Sequence, residues 1–81
     1  MEIKEYRIII DGDSREYPVR GRHIYDALSI LYSHYGERIE RSKFLTIMES
    51  GATTHMPVTK ELLRLIIREW TSKNLLTFPL K

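Results

Sequence analysis

The sequence predicts a small α+β domain in the order β-β-α-α-α-β, with a small antiparallel sheet and three helices on one face. Three observations predict it. Residues 3–10 and 15–19 alternate around an Asp11-Gly12-Asp13-Ser14 turn signal. Residues 23–35, 43–50 and 57–73 carry apolar residues at helical spacing. Leu75-Leu76-Thr77-Phe78 is short and apolar, and Pro79 ends its capacity to pair, so it reads as a third strand joining the N-terminal hairpin.

In the first strand Tyr6, Ile8 and Ile10 share one face, and in the second Tyr17 and Val19 do. Pro18 lacks an N–H, which places the second strand at an edge. On the first helix Ile24, Ala27, Leu28, Leu31, Tyr32 and Tyr35 fall on one arc, and Gly36 is its natural stop. Glu37 to Glu40 reads as a short link. Ser42 is placed to N-cap a second helix over residues 43–50, whose apolar residues are Phe44, Leu45, Ile47 and Met48. Gly51 ends it, and residues 52–56 read as a Thr-rich loop. The third helix opens at Pro57 or at a Thr59 cap. Its apolar residues from Val58 to Trp70 span roughly 200° of the circumference, which reads as core with a part free to meet a subunit or partner.

Eighty-one residues allow one domain, residues 1–81, with a thin core and hence a reason to dimerise. The absence of cysteine excludes disulfides, Cys-ligated zinc and thiol catalysis, and suits a reducing cytoplasm. No run approaches the length of a membrane span, and Met-Glu-Ile-Lys-Glu does not open a signal peptide. The net charge of +2 is unevenly distributed: residues 1–41 are net −1 and residues 42–81 net +3. An anionic partner is therefore expected on the second half.

Asp26 to Leu31, then Tyr35-Gly36-Glu37-Arg38-Ile39-Glu40-Arg41-Ser42-Lys43-Phe44-Leu45, resemble the first half of an OmpR/PhoB-type winged helix-turn-helix. The resemblance implies a preceding hairpin, a recognition helix at residues 57–73 and a wing strand at residues 75–78. The chain departs from the family in ending at Lys81 without the second wing strand and its Gly-Tyr pair, and in having no receiver domain. Residues 3–35 also look like the opening of a β-grasp domain, whose ferredoxin members need four cysteines that this chain lacks.

These features predict a non-enzymatic protein that binds double-stranded DNA as a transcriptional regulator. Lys60, Arg64 and Arg68, spaced by four, share one helical face suited to phosphates, and Thr59, Lys60 and Arg64 lie in the turns that would reach bases. Arg41, Ser42 and Lys43 stand at the expected N-terminus of the second helix, where backbone N–H groups attract phosphate. Thr53, Thr54 and His55 lie in the expected turn between helices. The competing reading makes the same charges a solvated surface paired locally with Glu61 and Glu69. A further reading, suited by the weak net charge and the mixed signs of residues 1–41, is a protein-interaction module of the same fold, as small stand-alone winged helices, phage-encoded ones among them, serve as adaptors or inhibitors. No catalytic, nucleotide-binding or metal motif is present: Asp11, Asp13 and Glu16 lack the calcium-loop pattern, and His23, His34 and His55 lack zinc spacing. No cofactor is expected.

Overall fold

A computed structural model describes residues 2–77 of the chain. The order is β1 (Lys4–Ile10), β2 (Tyr17–Gly21), α1 (Ile24–Arg41), β3 (Phe44–Glu49), β4 (Ala52–Pro57) and α2 (Lys60–Thr77). The strands form one antiparallel sheet in the order β2-β1-β3-β4. The predicted winged-helix-like order β-β-α-α-α-β is thus replaced by β-β-α-β-β-α, with two helices instead of three.

The β1–β2 hairpin forms in the register Tyr6↔Val19 and Ile8↔Tyr17. Tyr6, Ile8, Ile10, Tyr17 and Val19 point inward and are buried. Asp11 and Gly12 take positive φ (54° and 72°) at the turn, which Gly and Asp tolerate best. β2, with its Pro18, lies at a sheet edge.

α1 does not stop at Gly36. Tyr35 leaves helical geometry (φ −132°, ψ 35°) and makes a kink, and the helix resumes to Arg41. Continuation buries Ile39 completely. A fully buried isoleucine is worth about 1.5–3 kcal/mol, more than the roughly 1 kcal/mol that a helical glycine costs. The predicted link at residues 37–40 is therefore helical. Ser42 is a C-cap and not an N-cap: its N–H and its hydroxyl both donate to the Ile39 carbonyl, at 3.1 and 2.7 Å.

Residues 43–50 form no helix. Ser50 and Gly51 adopt φ of 49° and 85°, a two-residue turn of the type that joins antiparallel strands, and β3 pairs with β4 from Glu49↔Ala52 to Phe44↔Pro57. Leu45 and Ile47 face inward and are buried; Thr46, on the other face, is buried too, between half-buried Phe44 and Met48. A four-residue apolar set satisfies both the helical and the strand period, and the hairpin turn settles it. The predicted loop at residues 52–56 is consequently β4.

Thr59 caps α2, its hydroxyl accepting from the Leu62 N–H at 3.1 Å. α2 packs against α1, and Leu62 and Ile66 join the core with the inward side of the sheet. The proposed third strand is also corrected: Leu75, Leu76 and Thr77 belong to α2, while Phe78 to Lys81 lie outside the described residues. Both helices cover one sheet face, and the other face is open.

One clamp ties the β1–β2 turn to α1. Arg38 donates to the Tyr17 hydroxyl at 2.8 Å and to the Asp13 carboxylate. The Arg38 hydrogen bond holds the Asp13 carboxyl below its ordinary value. A depressed carboxyl contributes stability above its unfolded pKa and loses it as pH falls through the folded one. An NMR titration of the Asp13 carboxyl should therefore give a midpoint below that of an ordinary aspartate, restored in Arg38→Met. An unchanged midpoint in that variant would remove the clamp.

Candidate functional site

The structure separates the ten sequence-nominated residues into three places. Arg41, Ser42 and Lys43 sit where α1 turns into β3. This is the carbonyl end of a helix, the negative end of its dipole, so the phosphate-attracting argument made for these residues is reversed. Ser42 is buried in its cap, and among the described residues Arg41 approaches Glu37, at 3.7 Å between two exposed side chains. The Lys43 N–H donates to Asp11 Oδ1 at 3.1 Å, which closes β3 onto the β1–β2 turn.

Thr53, Thr54 and His55 belong to β4 and not to a turn between helices. All three are exposed. His55 Nδ1 lies 3.1 Å from the Thr46 hydroxyl across the β3–β4 pair, on the open face of the sheet.

Thr59, Lys60, Arg64 and Arg68 lie at the start and along the outside of α2. Thr59 is occupied by capping. Lys60, Arg64 and Arg68 are exposed, and among the described residues none is held in an ion pair. Glu69, expected to pair locally with this stripe, reaches instead to Arg22 and His23 at 3.7 and 3.9 Å. That tie carries α2 to the N-terminal end of α1, where His23 accepts from the Asp26 N–H at 3.2 Å and Asp26 accepts from the Arg22 N–H at 2.7 Å. The stripe is thus left free while the opposite side of α2 is tied down.

Three α2 side chains read from sequence chiefly as core are not covered. Leu65, Ile67 and Trp70 are 41, 38 and 38% exposed. Leu62 and Ile66 are buried and Leu63 is half-buried. A helix meeting a single helical neighbour buries a stripe of little more than 100°, so an arc twice that wide must leave apolar residues at its margins. That width was the signal in the sequence. Glu61, Arg64, Leu65 and Arg68 line an open concavity of about 570 Å³ on this surface. Guanidinium groups there flank an exposed leucine.

Among the described residues, no group of three His, Cys, Asp or Glu side chains could hold a metal ion. No helix among them is long and apolar enough to cross a membrane. The chain matches no protein-family model, no curated protein and no solved structure.

Proposed function

We propose that the chain is a non-enzymatic protein-interaction module that docks a larger protein on the outer side of α2. The observation that carries this is the composition of that helix: Ile67 and Trp70 on one margin and Leu65 on the other are exposed beside Lys60, Arg64 and Arg68, none of which is in an ion pair among the described residues. Tryptophan and arginine are enriched among the residues that carry binding energy at protein interfaces, and exposed apolar side chains beside them widen such a surface. Phosphate binding gains nothing from leucine and isoleucine. The partner surface that fits is apolar and rimmed with carboxylates.

The test uses the whole chain immobilised, against an Ile67→Ser/Trp70→Ser double variant. These side chains are partly exposed, so the variant is expected to stay folded by circular dichroism. A partner retained by the wild type should be lost by the variant. Equal retention by both would sink the assignment to α2.

A second reading, duplex DNA binding by a transcriptional regulator, rests on the exposed Lys60, Arg64 and Arg68 stripe, without a winged-helix frame. Binding to a random labelled duplex, followed by fluorescence anisotropy, should then weaken steeply with salt. Arg64→Ala should cost about 1–3 kcal/mol if Arg64 reads a base. Absence of binding at low salt ends that reading.

A further inference from the structure

The two edges of the sheet are built differently. β2 carries Pro18 and Arg20 and has α1 packed against it. A proline and charged side chains are devices that keep an edge from templating another strand. β4 has its one proline, Pro57, at its last position, and residues 52–56 contain no Lys, Arg, Asp or Glu. Its ladder with β3 runs without a bulge from Glu49↔Ala52 to Phe44↔Pro57. Residues 52–55 are exposed on both faces, because α2 packs on α1 and leaves this strand uncovered.

The free edge can be read group by group. The two-residue turn at Ser50-Gly51 makes Glu49↔Ala52 a hydrogen-bonded pair, and pairs then alternate. Ile47↔Thr54 and Leu45↔Met56 are hydrogen-bonded; Met48↔Thr53 and Thr46↔His55 are not. Thr53 and His55 therefore turn both their N–H and their C=O away from β3. Pro57 faces the same way but has no N–H to give.

We propose that β4 pairs with β4 of a second copy of this chain, antiparallel about a two-fold axis at Thr54. Thr53 and His55 stand one residue either side of that axis. In this register the Thr53 N–H donates to the His55 carbonyl of the second copy, and the His55 N–H of that copy donates back to the Thr53 carbonyl. The two-fold repeats both bonds, so every outward donor and acceptor of Thr53 and His55 is used and the proline stays out of the ladder. Thr54 meets Thr54 across the axis in a close, non-hydrogen-bonded pair, a favourable cross-strand combination. No like charges oppose one another, and the arrangement is closed, as a two-fold interface requires. The two sheets become one. This surface is separate from the outer side of α2 and stands or falls independently of it.

Amide hydrogen exchange on the wild-type chain tests this without any substitution. Thr53 and His55 amides should exchange quickly in dilute protein. They should slow by at least about tenfold as concentration rises from about 10 μM to about 1 mM, in step with dimer formed by analytical ultracentrifugation. Thr53→Pro removes an outward N–H only, and Thr54→Lys places two cations face to face. Both should be monomeric and folded at the concentration where the wild type is dimeric. A monomer at the highest concentration overturns the proposal. So does a dimer whose Thr53 and His55 amides stay fast, which would place the contact elsewhere, for example on α2. Protection that appears only with a foreign strand present would assign the edge to another protein and overturn self-pairing.

Discussion

Ile66→Ala is expected to destabilise the protein by about 2–5 kcal/mol. Ile66 is completely buried and, with Leu62, brings α2 into the common core beside α1. Among the described residues Leu62 and Ile66 are the two buried side chains of α2, so each carries a large share of its packing. A single core in a chain of this size rarely supplies more than about 3–5 kcal/mol, so the loss approaches the whole stability. Urea unfolding should show a large drop in midpoint with little change in slope. Ile67→Ala, one residue on and 38% exposed, should shift stability by no more than about 1 kcal/mol. Similar effects from the two substitutions would mean that α2 is rotated from the orientation described.

Gly21→Ala should cost about 1–3 kcal/mol, at the upper end of what overpacking does. A Cβ there would stand 2.8 Å from the Ala27 backbone nitrogen and 3.2 Å from both Ala27 Cα and Asp26 Oδ2. The group it strikes is the first turn of α1, which cannot rotate away as a side chain would. Relief requires α1 to lift from the end of β2 and would disturb the bonds of Asp26 to Arg22. Gly51→Ala separates this effect from simple backbone strain. Its Cβ would meet nothing within 4 Å, but φ of 85° disfavours any side chain, at about 1–2 kcal/mol. Thermal unfolding of the two variants should rank Gly21→Ala as the worse. The reverse ranking would show that β2 and α1 are not in close backbone contact.

Much of the first half was legible in the sequence. The alternation of Tyr6, Ile8 and Ile10 against Tyr17 and Val19, with a two-sided turn signal between, specifies a hairpin from local information, and the register follows it. Pro18 marks an edge for a reason contained in the residue itself. Of the two expected starts of α2, the Thr59 cap holds, because capping involves a side chain and an N–H three residues on, while Pro57 ends β4. None of these depends on what the distant chain does.

The errors share one origin. Gly36 was given its local meaning as a helix stop, yet the helix passes it because Ile39 gains a place in the core. Leu45 and Ile47 fit two periods equally, and pairing with β1 and β4 chose the strand. Once residues 43–50 became β3, Arg41, Ser42 and Lys43 moved from the expected N-terminus of a helix to a C-terminus, and Thr53, Thr54 and His55 moved from a turn to a sheet edge.

By itself, then, the sequence determined the β1–β2 hairpin, the edge position of β2, the presence of a helix after Thr59 and the presence of more apolar surface on that helix than one neighbour can bury. These are consequences of turn chemistry, capping and periodicity, which act over a few residues. Only the tertiary structure decided that α1 continues through Gly36, that residues 44–57 form strands, which margins of α2 stay exposed and that β4 presents a bare edge. Each of these was settled by burial or by pairing with chain distant in sequence, where a few kilocalories of packing outweigh the local preference.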